Sequence, residues 1–215
     1  MPTIAELSPI TSQWQSLFNL YLTIGTVTGV VVISLLVVNT LRYRDRPGRQ
    51  NPSDAIEEAK IPAERGTIGA ALLLTLIVAG ILFAITIGTM ATVDLIEKPP
   101  KGTLHINVEG FQWGWRFTYP NGRETVNEVR IPAGEVTVFY VTSTDVFHKF
   151  QLVEFKIGVD AIPGKVNKIW ISTEKAGEYL IQCYELCGVG HAVMAAKLIV
   201  MEPSEFKAWY EGGGA

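Results

Sequence analysis

Residues 66–109 read GTIGAALLLTLIVAGILFAITIGTMATVDLIEKPPKGTLHINVE, and within them the chain changes character twice. Residues 66–93 carry no charged side chain. That exceeds the ~20 apolar residues needed to cross a hydrocarbon core. The glycines and threonines would weaken a soluble helix, but a bilayer leaves the backbone few alternatives to helix. Residues 98–102 (KPPKG) then read as a stiff linker. From residue 103 to 109, Leu104, Ile106 and Val108 alternate with polar neighbours, the pattern of a strand with one buried face. A membrane helix therefore leads into a β-rich soluble domain.

Towards the N-terminus, residues 17–41 (LFNLYLTIGTVTGVVVISLLVVNTL) form a second uncharged run. It is longer than a signal-peptide core, no basic residue precedes it, and Arg42, Arg44, Arg46 and Arg49 follow it, which argues against a cleaved leader. With Lys60 and Arg65, the intervening loop 42–65 holds six basic residues; the 16 residues before the first run hold none. The positive-inside rule places this loop in the cytoplasm and both termini outside. The expected organisation is a transmembrane hairpin over residues 1–98 and an external domain over 99–215, in a plasma or energy-transducing inner membrane.

Towards the C-terminus the signals are mainly strand. Residues 111–119 are aromatic-rich and end in the turn Pro120-Asn121-Gly122. Residues 135–143, 166–172, 178–182 and 195–201 are further short β-prone runs, and together they predict a β-sandwich or barrel. A short helix is expected at Pro203–Glu211, capped by Ser204. After residue 93 the chain has 12 Lys/Arg against 15 Asp/Glu, with no basic stripe of the kind that binds nucleic acid.

The two cysteines of the chain, Cys183 and Cys187, lie in this external part. Alone they fit a disulfide or a metal site. Their surroundings, CYELCGVGHAVM over residues 183–194, give C-x3-C-x3-H-x2-M: two thiols, an imidazole and a thioether in twelve residues. Gly188 and Gly190 let the backbone fold tightly so that the ligands converge. A second histidine, His148, ends the segment Asp145-Val-Phe-His. Structural zinc takes four thiolate or imidazole ligands in a closed tetrahedron, which would leave Met194 superfluous. Thiolate, imidazole and a weak thioether are instead a copper set. A mononuclear blue site needs one cysteine, and here there are two, which can bridge two coppers. Each copper then takes one of His148 and His191, and the weak positions go to Met194 and the Glu185 carbonyl. With no open position, such a site suits electron transfer. His105 lies outside this pattern.

These segments, with NEVRIPAGE, DAIPGKVNKIW, GEYLIQC and the Gln112-Trp113-Gly-Trp115 run, resemble subunit II of the haem–copper oxidases with its CuA centre. The resemblance implies a cupredoxin-like Greek-key β-sandwich. It also implies a dinuclear copper bound by His148, Cys183, Glu185, Cys187, His191 and Met194, and a magnesium shared with subunit I at the Glu185 side chain. It gives Trp113 the role of accepting electrons from cytochrome c or another external donor, and it sets Glu64 near the mouth of a proton path. Haem would belong to the partner subunit alone. Tyr184 departs from the serine often found between the first cysteine and the glutamate. No haem-attachment motif follows the copper segment. The expected function is delivery of electrons to a terminal oxidase that reduces oxygen and pumps protons. The alternatives are a CuA subunit of a nitric oxide reductase and a membrane-tethered copper-binding protein.

Overall fold

The computed structural model describes residues 8–44, 68–100 and 104–212. Glu64 and most of the basic loop lie outside those residues, as do Lys101 and Thr103.

Two helices form the hairpin, α1 (Pro9–Tyr43) and α2 (Ile68–Glu97). Both are long and apolar enough to cross a membrane, and both outrun the uncharged stretches read from the sequence. Their side chains are apolar and exposed along most of their length, Leu36 and Leu76 among them. Several polar residues are accommodated in the helices because they turn their side chains back onto the helix's own backbone. Thr23 bonds the Asn19 carbonyl, Asn39 that of Leu35, Thr75 that of Ala71 and Thr86 that of Leu82. Such i−4 bonds satisfy side-chain groups that lipid cannot. Tyr21 and Thr89 share a hydroxyl hydrogen bond of 3.0 Å between the helices.

The second compact unit is built on ten strands and includes residues 8–17 and the chain from Met90 onward. The strands are β1 (Leu104–Phe111), β2 (Gly114–Thr118), β3 (Glu124–Val126), β4 (Glu128–Pro132), β5 (Thr137–Ser143), β6 (His148–Leu152), β7 (Ile157–Ala161), β8 (Asn167–Ile171), β9 (Gly177–Cys183) and β10 (Ala195–Met201). They make two five-stranded sheets, β3-β2-β1-β5-β8 and β4-β10-β9-β6-β7. Most neighbours are antiparallel, but β1 pairs with β5 and β4 with β10 in parallel. The expected sandwich is present. It contains β3, β4, β6 and β7, which the strand reading of the sequence does not include.

Alternation explains the layering. In β1, Leu104, Ile106 and Val108 are buried while His105 is exposed, and His105 stacks on Tyr140. The two sheets meet on aromatic rings. Phe150 of β6 packs against Trp115, Phe139 and Phe117 of the other sheet, with centroids 5.1, 5.6 and 6.2 Å away. Burying one such ring stabilises the fold by roughly 1.5–3 kcal/mol. The helix ends join this core: Ile10 is buried, Thr11 donates to the Phe155 carbonyl at 3.1 Å, and the Trp170 indole donates to the Leu95 carbonyl.

The last helix, α3, spans Pro203–Glu211, with the bounds the sequence suggests. Its cap differs. Glu202 holds the N-cap position without a side-chain bond, and Pro203 opens the first turn. Ser204 is therefore two residues too deep to cap, and proline supplies the start because its missing N–H is not needed there.

Candidate metal centre

The strand ends bring the chemistry together at one end of the sandwich. His148 opens β6, Cys183 closes β9, and Met194 immediately precedes β10. Antiparallel pairing of β9 with β10 makes residues 184–194 a hairpin loop. Its base is closed by the Cys183 N–H on the Met194 carbonyl at 3.1 Å. Pairing of β6 with β9 sets Phe150 opposite Cys183, and the Tyr184 N–H bonds the Lys149 carbonyl. Within the loop, His191–Val193 form a short 3-10 turn. Gly188 sits at φ +119°, a conformation that L side chains rarely adopt.

The six donor groups gather around two sulfurs. Cys183 Sγ and Cys187 Sγ are 3.7 Å apart. A disulfide needs about 2.05 Å, so the two thiols are free. The Nδ1 of His148 lies 3.8 Å from Cys183 Sγ, and the Nδ1 of His191 lies 3.5 Å from Cys187 Sγ. Met194 Sδ is 3.6 Å from Cys187 Sγ, and the Glu185 carbonyl oxygen is 3.2 Å from Cys183 Sγ. His148, Cys183, Cys187 and Met194 are buried. The ligand atoms of His148, Cys183 and Cys187 all lie within 4.8 Å of one another.

This arrangement fits metal. Two thiolates that both bind one ion can be at most about twice a metal–sulfur bond apart, roughly 4.6 Å. The observed sulfur separation lies inside that limit. Each histidine approaches a different sulfur, and with two thiols, two imidazoles, a thioether and a carbonyl there are more donors than one tetrahedral ion uses. The donors are soft or borderline, which favours copper over magnesium or calcium.

Hydrogen bonds around the donors fix their orientation. His148 Nε2 is 2.8 Å from Asp145 Oδ1. A carboxylate only accepts, so Nε2 carries the proton and Nδ1 keeps its lone pair facing Cys183. Burial pushes the Asp145 carboxyl up, but bonds from His148 and from the Val146 and Gln112 N–H groups outweigh it and hold the group below its ordinary value. Burial, with the Cys183 thiol beside it, pushes the Cys187 thiol up to about 11. At neutral pH the metal-free thiol is therefore protonated, and an incoming metal must displace that proton.

Trp113 sits at the tip of the β1–β2 turn, 41% exposed. Its Nε1 donates to the Cys187 carbonyl at 3.3 Å. The ring lies over Gly190, where a Cβ would come 2.4 Å from Trp113 Cδ2. The sequence reading quotes Asp145 and Gln112 only within longer motifs and gives neither a role at this cluster, which both border. Asp145 has a sequence signal, an acid three residues before the ligand histidine. The position of Gln112 depends on the turn and has none.

Comparison with known proteins identifies the family. Residues 123–202 match the family described as cytochrome c oxidase subunit II, periplasmic domain. A haem–copper oxidase subunit 2 of Aeropyrum pernix is 34% identical over 97% of this chain and 93% of its own length. A cytochrome c oxidase subunit 2 of Alkalihalophilus pseudofirmus is 31% identical over 99% of this chain and 63% of its own length. The crystal structure of the periplasmic domain of subunit II of cytochrome oxidase from Bradyrhizobium japonicum superposes with a TM-score of 0.51. It has 36% identity and covers 53% of this chain and 95% of that domain. Two helices suited to a membrane, a cupredoxin-like sandwich, and a relative matched along nearly its whole length converge: the chain belongs to the subunit II family of the haem–copper oxidases, oxidoreductases whose oxygen-reducing site lies outside this subunit.

Proposed function

We propose that this chain is the electron-accepting subunit of a terminal haem–copper oxidase, with a dinuclear CuA centre. It takes electrons from cytochrome c or another external donor and passes them to haem in subunit I, where oxygen reduction is coupled to proton pumping. The observation that supports this most is the pair of free sulfurs 3.7 Å apart with a histidine Nδ1 beside each. When bound, two coppers sharing one electron supply a one-electron relay with little bond rearrangement.

The residues have distinct tasks in this reading. Cys183, Cys187, His148, His191, Met194 Sδ and the Glu185 carbonyl would hold the copper, with the two thiolates and two imidazoles as the strong donors and the thioether and carbonyl as the weak ones. Buried His148 and Met194 keep water from the inner side. Asp145 holds the His148 ring in the tautomer that leaves Nδ1 free. Trp113 connects the surface to a ligand residue through one hydrogen bond, which suits it to receive electrons from a docked donor. The Glu185 carboxylate is assigned to a magnesium shared with subunit I, and Glu64 to the mouth of a proton path. The hairpin over residues 1–98 anchors the chain with loop 42–65 in the cytoplasm, so the domain over 99–215 and both termini face the outside.

The test is turnover of the purified complex with reduced cytochrome c and oxygen. The wild-type complex should consume oxygen. The Cys187→Ser complex should not, while its subunit I haems keep their spectra and still react with oxygen when reduced chemically. Turnover with nitric oxide and none with oxygen would assign the chain to a nitric oxide reductase instead.

A further inference from the structure

We infer that Gln112 is a positioning residue that ties the two halves of the proposed copper centre together. Its place in the turn between β1 and β2 gives it contacts on both sides. Its backbone N–H donates to Asp145 Oδ2 at 2.7 Å, and the other oxygen of that carboxylate bonds His148 Nε2 at 2.8 Å. Its side-chain amide donates through Nε2 to the Cys187 carbonyl at 2.7 Å. A carbonyl only accepts, so the NH2 and not Oε1 must face it. One residue thus joins the histidine that opens β6 to the cysteine loop between β9 and β10. These ligand segments are 35 residues apart in sequence between His148 and Cys183.

The bond to Cys187 is short and locally enforced. Gly188 presents no side chain, and a Cβ there would lie 2.9 Å from Gln112 Nε2. The amide therefore rests directly on the loop. Trp113 Nε1 shares the same carbonyl at the longer distance of 3.3 Å, so Gln112 is the closer of the two donors. Cys187 in turn is the sulfur nearest to both His191 Nδ1 and Met194 Sδ. Movement of its carbonyl would carry three of the six donors away from His148 and Cys183. The residue touches no ligand atom and acts only through Asp145 and Cys187.

This inference rests on the dinuclear copper reading above. The experiment is to replace Gln112 with methionine in the full-length chain, which keeps the side-chain length and removes the donor. Three quantities are read from the detergent-solubilised protein: the rate at which a chelator removes copper, the paramagnetic resonance spectrum of the copper-loaded form, and the melting temperature of the metal-free form. A neutral hydrogen bond is worth about 0.5–1.5 kcal/mol, which corresponds to roughly two- to tenfold. Gln112→Met should lose copper faster by about that factor and show altered copper hyperfine splitting, with the metal-free melting temperature unchanged. Copper loss at the wild-type rate with an unaltered spectrum overturns the assignment. So does faster loss that tracks a lowered metal-free melting temperature, because Gln112 would then be a folding residue. If the wild-type chain itself holds no copper pair, it is the underlying reading that fails, and that outcome is visible before any variant is made.

Discussion

The two ends of the β-sandwich use similar materials to opposite effect. At the end away from the metal cluster, Tyr119 packs on Trp209 and Tyr210 of α3, with ring centroids 5.3 and 6.0 Å away. Arg123 and Arg130 lie over the Trp209 ring at 4.4 and 5.2 Å. The Tyr119 hydroxyl donates to the Arg130 carbonyl and accepts from the Arg130 N–H. Asn121 bonds the Tyr210 carbonyl. Polar groups there meet well-matched polar partners. At the other end sulfurs and imidazole Nδ1 atoms face one another at 3.5–3.8 Å. Thiols are weak hydrogen-bond donors and acceptors, so these contacts satisfy little. Aromatic packing closes the first end as structure. At the second it encloses a donor set that metal would complete.

Five substitutions sharpen that contrast, and the two at the cysteines have the largest effect. Cys183→Ser or Cys187→Ser should abolish the shared-electron resonance signal, because a hydroxyl does not bridge copper as a thiolate does. An unchanged mixed-valence spectrum in either variant would show that the sulfurs do not bridge. Gly190→Ala comes next. Its added Cβ would fall 2.4 Å from Trp113, and relief of that overlap should cost about 1–3 kcal/mol. Denaturant titration measures the cost, and quenching or recovery of Trp113 fluorescence reports the displacement. Tyr119→Phe, at the opposite end, leaves the Arg130 N–H and carbonyl unpaired. It should cost roughly 1–2 kcal/mol, read from the same titration, without altering the copper spectrum. A copper shift in that variant would contradict the independence of the two ends. Trp113→Phe should have the smallest structural effect, under about 1 kcal/mol, since it removes one long hydrogen bond. The copper spectrum should persist while stopped-flow reduction by cytochrome c slows. Unchanged donor kinetics would remove Trp113 from the route.

Much of this was legible in the residues, for identifiable reasons. The two helices stand out because an uncharged run of that length is rare in soluble proteins. The donor types of the metal cluster stand out because five of the six are confined to residues 183–194. Strands β1, β5, β8, β9 and β10 show because Val, Ile, Leu and aromatic residues alternate along them. β6 was hidden by its composition: His148, Lys149 and Gln151 mask an alternation that buries His148, Phe150 and Leu152. β7 was hidden by Gly158 and Asp160, although Ile157 and Ala161 face inward. β4 lies within a stretch quoted only for its resemblance. Its parallel pairing with β10 joins residues 128–132 to 197–201, a long-range match that no local pattern reveals. The Gln112 contacts have the same origin, since they depend on which turn meets which loop. Ser204 failed as a cap because Pro203 takes the first helical position, which puts the N-cap at Glu202, two residues earlier.

Copper stoichiometry and electron paramagnetic resonance of the full-length chain, purified in detergent and loaded to saturation, test the central claim most directly. Two coppers per chain, with one unpaired electron spread over both, is the predicted result. A single copper, bound zinc, or a Cys183–Cys187 disulfide in the electron-transferring protein would contradict it.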